Sequence, residues 1–186
     1  MAKSDIEIEI QVAVEHIKPL LNFLEAKAKF TGEKHQVDEY FSLTSPSFLD
    51  VRPVIEWLRL RNEGGKASVN YKHWHHDGPG NAAYCDEYES GVDDPRAIRQ
   101  IFASLNFKQI VVVDKLRRTW HYQDYEIAVD RVKNLGDFVE IEHKGKSTSE
   151  DARRIADEMK QFLHDLGCGK TTENTGGYAF QLLPKK

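Results

Sequence analysis

The chain has 186 residues, 40% of them apolar and 30% charged, with a formal net charge of -4. That supports one sizeable core, and the acidic balance argues against a protein that coats nucleic acid, which needs a basic surface. Cys85 and Cys168 lie far apart, outside any C-x-x-C pattern, no apolar run reaches membrane-spanning length, and Met-Ala-Lys-Ser-Asp at the start is no signal peptide; a cytoplasmic protein without membrane association or thiolate metal site is expected.

The first element is Ile6-Glu7-Ile8-Glu9-Ile10-Gln11-Val12. Its period of two predicts a strand with Ile6, Ile8, Ile10 and Val12 on one face and Glu7, Glu9 and Gln11 on the other. Carboxylates two residues apart on one face stand roughly 7 Å from each other and repel. A solvated outer face would tolerate that; so would a site for divalent cations and a phosphate chain.

A helix is expected over 15–28, from the i, i+3, i+4, i+7 spacing of Ile17, Leu20, Leu21 and Leu24, with Pro19 tolerated in the first turn. Residues 36–44 read as a strand, and the Ser/Pro-rich stretch from Thr44 to Pro53 as a loop long enough to form a lip over a site. Three strands follow as a meander over 56–62, 67–75 and 82–90, joined at Gly64-Gly65 and at 76–81. Asp94-Pro95 starts a helix striped with Ile98, Ile101, Phe102 and Leu105. Strands are expected over 107–117, continuing or turning back over 118–122, then over 125–132 and 137–143. Ser149 is placed as the cap of a helix over 150–166, with Gly167 at its end, and 177–183 as a final strand. Short connections between strands predict mostly antiparallel pairing, in an α+β chain whose sheet is large enough to curl or close into a barrel.

Charges recur two apart on these strands: Glu7/Glu9, Arg59/Arg61, Glu87/Glu89, Lys115/Arg117 and Glu140/Glu142, with Lys72 and Asp130 in addition. Each pair shares one face of its strand. One such pair reads as a solvated face; five on separate strands point to a shared interior. Seven acids and five bases cannot form a dry core. They can line a wet tunnel in which arginine and lysine grip phosphate oxygens while carboxylates hold Mg²⁺ or Mn²⁺ against them. The pattern suits a metal-complexed polyphosphate.

These residues resemble a known family. Glu7-Ile-Glu-Ile-Gln11 is similar to the E-x-E-x-K signature of the CYTH superfamily, which groups class IV adenylyl cyclases with thiamine triphosphatases and inorganic triphosphatases, the triphosphate tunnel metalloenzymes. Gln36-Val-Asp38-Glu-Tyr40-Phe41 resembles the Q-x-D-x-Y-F stretch of the cyclase-like branch, and Trp57-Leu-Arg59-Leu-Arg61 the L-R-x-R strand. Lys72, Glu87 and Glu89 match the next two strands, Lys115-Leu-Arg117 matches K-x-R, and Asp130 with Leu135-Gly136-Asp-Phe138-Val-Glu140-Ile-Glu142 matches the last block. The resemblance implies a single domain over 1–186, with its core about 5–167 and a tail over 168–186. It implies an antiparallel eight-stranded closed or near-closed barrel with flanking helices.

The resemblance further implies that Glu7, Glu9, Asp130, Glu140 and Glu142 contribute to metal binding, the metal being Mg²⁺ or Mn²⁺. Arg59, Arg61, Lys72, Lys115 and Arg117 would hold phosphates, with Glu7, Glu9, Lys72 and Arg117 in catalytic roles and Gln11, Glu87 and Glu89 lining the tunnel. The expected activity is adenylyl cyclase, taking ATP to cyclic AMP and pyrophosphate. The alternatives are a triphosphatase acting on thiamine triphosphate or inorganic triphosphate, and a module that binds a polyphosphate or nucleotide without turning it over. The expected partner is a nucleoside triphosphate or other triphosphate, and a homodimer is implied by resemblance alone. One position departs: the family's lysine is Gln11, which keeps hydrogen bonding but not charge.

Other residues take plainer readings. His73, His75 and His76 read as surface or turn residues, since no third metal ligand follows from spacing. Trp57, Trp74 and Trp120 could stack on a base but suit core or rim packing better. Gly176-Gly177-Tyr178 reads as a tail that either closes over the tunnel or simply connects, and Ser147-Thr148-Ser149 as helix capping.

Overall fold

The computed structural model describes residues 8–76, 82–145, 151–174 and 176–184. The elements are β1 (Ile8–Val14), α1 (Lys18–Lys27), β2 (Lys29–Leu43), a 3-10 turn (Phe48–Asp50), β3 (Glu56–Glu63), β4 (Lys66–His76), β5 (Ala82–Val92) and α2 (Pro95–Ser104). They continue with β6 (Phe107–Tyr122), β7 (Tyr125–Val132), β8 (Gly136–His143), α3 (Ala152–Asp165), β9 (Thr171–Glu173) and α4 (Gly177–Leu182). The strands form one sheet in the order β5-β4-β3-β2-β6-β7-β8-β1-β9. The pairings β1–β8, β1–β9, β2–β3, β3–β4, β4–β5 and β7–β8 are antiparallel. The α+β antiparallel reading holds: the described residues form nine strands, the number read along the sequence, with β9 in place of the strand expected over 177–183.

Several expectations change. β2 begins at Lys29, well before residue 36. Of the two readings for 118–122, the continuation holds: residues 107–122 form one 16-residue strand. The segment expected as a final strand over 177–183 is the short helix α4. Strand β9 was not expected; it pairs Thr171, Thr172 and Glu173 with Val14, Ala13 and Val12. Glu7, most of the turn over 76–81, and Ser147-Thr148-Ser149 with their capping role lie outside the described residues.

The chain divides into two compact units. Unit 1 comprises Met1–Lys34 and Leu116–Thr175. Its core joins Ile8, Ile10 and Val12 of β1 to Leu20 and Leu24 of α1, Ile127 and Val129 of β7, Val139 and Ile141 of β8, and Ile155, Met159 and Leu163 of α3. The alternation of β1 therefore buries its isoleucine face, as its sequence dictates. Trp120, 2% exposed, belongs to the same core and not to a base-stacking surface. Gly167 (φ 80°) ends α3 in the left-handed conformation, where a side chain would be strained.

Unit 2 comprises His35–Lys115 and Gly176–Lys186. Its apolar cluster is smaller: Phe41, Leu60 and Phe102, flanked by Leu58, Val69, Ile98 and Phe107. Helix α2 contributes Phe102 and begins at Asp94, whose carboxylate accepts from the backbone N–H of Arg96 and Ala97. The loop after β2 is closed locally by a capping box between Ser47 and Asp50. Among the described residues, no helix is long and apolar enough to cross a membrane.

Candidate functional site

Unit 1 carries an acidic sheet face. Register places Glu9 of β1 opposite Glu142 of β8, and Glu142 opposite Glu126 of β7. Directly opposed residues share a face, so three carboxylates stand in one row. The next row is Gln11, Glu140 and Ala128; beyond it, Phe138 pairs with Asp130. Like charges opposed across strands destabilise a sheet unless cations intervene. Lys144 Nζ supplies one, 2.5 Å from Glu142 Oε1. His121 Nε2 lies 3.3 Å from Glu126 Oε2.

Arg117, reaching this face from β6, ties the other two acids together. Its Nε donates to Asp130 Oδ1 at 2.7 Å and its Nη2 to Asp130 Oδ2 at 2.6 Å. The same Nη2 stands 2.8 Å from Glu140 Oε2. Asp130 is fully buried, so this fork supplies the charge compensation that its burial requires. Burial opposes the guanidinium's charge, but Glu140 and Asp130 outweigh it and hold the Arg117 pKa well above the ordinary arginine value. Gln11 Nε2 also donates to Glu140 Oε2 at 2.8 Å, and Asn174 Nδ2 donates to Gln11 Oε1 at 2.6 Å.

Unit 2 carries a face richer in bases. Across β2, β3 and β4, register aligns Asp38, Arg61 and Ser68 in one row and Tyr40, Arg59 and Asn70 in the next. Trp57, Lys72 and Glu87 align across β3, β4 and β5. Arg61 grips Asp38 with two hydrogen bonds, Nε to Oδ1 at 2.7 Å and Nη2 to Oδ2 at 2.8 Å. Arg59 Nη1 is 3.9 Å from Asp38 Oδ2. Burial would raise the Asp38 pKa, but the Arg61 fork, with Arg59 and Lys115, prevails and holds it below the usual carboxylate value. Burial likewise pushes the Tyr40 hydroxyl upward.

Lys72 Nζ lies 3.1 Å from Glu87 Oε2, and Asn70 donates to Glu87 Oε1 at 2.5 Å. Glu89 accepts from Ser68 at 2.7 Å and stands exposed, a rim acid more than a lining one. Lys115 is 4% exposed, and its ammonium lies 5.0 Å from the centroid of the Tyr178 ring. The residues 176–178, read as a tail, thus include a buried tyrosine on α4. Trp57 packs edge-on against Tyr40.

The structure brings Glu9, Gln11, Arg117, Asp130, Glu140 and Glu142 onto the unit 1 face, and Arg59, Arg61, Lys72, Lys115 and Glu87 into unit 2. Sequence reasoning missed Glu126, His121, Asp38 as an ion-pair centre, and Asn174. Glu126 was findable: it lies four residues before Asp130 on the same alternating strand. Asn174 was not, because only the pairing of β9 with β1 brings it to Gln11. His73 and His75 stack with ring centroids 4.8 Å apart, and His75 Nε2 lies 2.7 Å from Asp86 Oδ2.

A hard divalent cation prefers carboxylate oxygens, and the unit 1 face offers five carboxylates, from Glu9, Glu126, Asp130, Glu140 and Glu142, against the two permanent cations Arg117 and Lys144. The donor chemistry fits Mg²⁺ or Mn²⁺. Among the described residues, no three His, Cys, Asp or Glu side chains converge as a ready ligand set. Asp130 and Glu140 face Arg117, and Glu142 faces Lys144.

The CYTH domain model matches residues 5–178. The chain is 32% identical over 166 residues to MJ0240, a candidate adenylate cyclase of Methanocaldococcus jannaschii, covering 89% of this chain and 91% of that protein. It is similar to the solved structure of PH1012 from Pyrococcus horikoshii, with a TM-score of 0.73 and 28% identity over 96% of this chain and 100% of that one. It shares the fold of HpAC1 from Hippeastrum, a protein with a dominant triphosphatase activity: TM-score 0.65, 16% identity, 95% and 94% coverage. With the family model spanning nearly the whole sequence, this chain belongs to the CYTH family.

Proposed function

We propose that this protein is a divalent-metal-dependent enzyme acting on a nucleoside triphosphate, converting ATP to cyclic AMP and pyrophosphate. One observation carries the phosphate side of this reading. Arg59 Nε is buried and has no hydrogen-bond partner among the described residues. A buried donor left unmade costs about 1–3 kcal/mol, so evolution retains one where a ligand acceptor meets it. Its guanidinium is held by Asp38, and Arg61, Lys72 and Lys115 supply further cations in the same unit. Phosphate oxygens are the acceptors that such a set suits.

The metal side of this reading would fall to the acids of unit 1. Glu9, Asp130, Glu140 and Glu142, with Glu7 as their sequence neighbour, would hold Mg²⁺ or Mn²⁺. The bound cation would neutralise charge on the phosphoryl oxygens and leaving group. Arg59, Arg61, Lys72 and Lys115 would orient the triphosphate chain. In the cyclase reaction the ribose 3′-oxygen bonds to the α-phosphorus, its proton is lost, and the bond to pyrophosphate breaks. Arg117 holds the Asp130 and Glu140 carboxylates in place through its charge and its fork.

A triphosphatase is the second reading, favoured by the activity stated for HpAC1, whose fold this chain shares. In that reaction water attacks the terminal phosphate and orthophosphate leaves. The deciding experiment offers ATP, thiamine triphosphate and inorganic triphosphate separately, with Mg²⁺ or Mn²⁺, and resolves the products by chromatography. Cyclic AMP from ATP, lost in Glu7→Ala/Glu9→Ala, establishes the cyclase. Orthophosphate establishes the triphosphatase. Tight calorimetric binding of a triphosphate with no product identifies a binding module and overturns both.

A further inference from the structure

Gln11 occupies a place where its side chain has two possible orientations of opposite consequence. A carboxamide presents a donor at one end and an acceptor at the other. Glu140, ionised beside Arg117, can only accept. The observed orientation sends Nε2 to Glu140 Oε2 at 2.8 Å. A half-turn would aim Oε1 at the same carboxylate and replace an attraction with a repulsion.

Asn174 reinforces the orientation that Glu140 selects. Its Nδ2 donates to Gln11 Oε1 at 2.6 Å. Its own place is set by the backbone, where Asn174 N–H donates to the Gln11 carbonyl at 2.8 Å directly after β9 leaves its ladder with β1. Asn174 is 8% exposed, so water competes poorly for the Gln11 oxygen. A chain of donors therefore runs from Asn174 through Gln11 to Glu140, where it meets the Arg117 fork on the same oxygen, Oε2. Two convergent donors hold Glu140 Oε2 in place.

We propose that Asn174 is a positioning residue: it locks the Gln11 carboxamide so that the Glu140 carboxylate is held in one orientation toward the divalent cation. This rests on the reading of Glu140 as a metal-holding acid given above. Groups that hydrogen-bond a ligating carboxylate typically set metal affinity by 10–100-fold, which is the scale expected here. The lock is needed only because residue 11 is an amide. A lysine there donates in every direction and has no wrong orientation.

That difference supplies the test. Mn²⁺ binding is measured by calorimetry on the full-length protein for the parent, Asn174→Ala, Gln11→Lys and the Gln11→Lys/Asn174→Ala pair, with thermal melting of each in the absence of metal. In the parent background, Asn174→Ala should weaken Mn²⁺ binding about tenfold. In the Gln11→Lys background, the same change should alter it by less than about twofold, a coupling that a double-mutant cycle reads directly. Equal losses in both backgrounds would assign Asn174 a merely structural role and overturn the proposal, as would no loss in the parent background. If the parent binds no Mn²⁺, the metal reading of Glu140 fails, and melting then decides the lock alone. A drop in Tm on Asn174→Ala that Gln11→Lys removes supports the lock; an equal drop in both backgrounds ends it.

Discussion

The two units solve one problem with opposite signs. Each must keep charged side chains on a sheet face that its fold largely shields from water. In unit 1 acids predominate, and Arg117 is the cation around which Asp130 and Glu140 are arranged. In unit 2 bases predominate, and Asp38 is the anion around which Arg61, Arg59 and Lys115 are arranged. In both, a minority charge sits at the centre of the majority. Such a centre keeps like charges from driving the face apart, while leaving a net sign for a ligand of the opposite sign. The excess acid of unit 1 suits a metal cation, and the excess base of unit 2 suits phosphate.

The largest test of this comparison removes a centre. Arg117→Ala strips the fork from the buried Asp130 carboxylate, and should cost about 3–5 kcal/mol in chemical denaturation of the metal-free protein. Replacing Arg117 and Asp130 together by Leu and Val should recover much of that loss, because the fully buried carboxylate goes together with its cation. A small loss on Arg117→Ala alone would show that unit 1 does not depend on its central cation.

Next in size is Arg59→Ala, which removes a cation proposed to meet phosphate without removing a centre. The KM for the triphosphate should rise roughly 10–100-fold, the scale of a lost charge-assisted hydrogen bond, with fold stability little changed. A fall in kcat at unchanged KM would place Arg59 in transition-state stabilisation instead of ground-state binding.

Acid titration reads the unit 2 centre. The folded Asp38 pKa lies below its unfolded value, so its contribution is fully present above about pH 4 and is lost as the pH falls through the lower folded value. Asp38→Asn should therefore lower stability at neutral pH and flatten the stability profile below about pH 4. Parallel profiles for the two proteins would remove Asp38 from that role.

The smallest effect compares the covering helices. Asp94 caps α2 through its side chain, whereas Asp151 at the start of α3 makes no such bond. Asp94→Ala should cost about 1 kcal/mol, and Asp151→Ala, which loses an exposed ion pair with Arg154 but no cap, less than about 0.5 kcal/mol. Equal effects would mean that capping is not what distinguishes the two helices.

The alternation of β1, β3 and β8 was enough to sort Glu9 from Ile10, Arg59 from Leu60 and Glu140 from Ile141, because a strand's side-chain period is fixed by its backbone. The start of α2 at Asp94-Pro95 was equally local, since capping needs only neighbouring residues. The sequence by itself therefore determined which residues face which way, and the family that this pattern of charges belongs to. Tertiary structure decided the rest. Thr171-Thr172-Glu173 is too short to read as a strand until β1 supplies its partner groups. Tyr178-Ala179-Phe180 is apolar in either state, and fewer than two turns of pattern cannot separate helix from strand; the buried places of Tyr178 and Ala179 made it α4. Above all, the choice of Arg117 for Asp130, Arg61 for Asp38 and Asn174 for Gln11 depends on register between strands distant in sequence. A side-chain period assigns faces but cannot name the neighbour across the ladder.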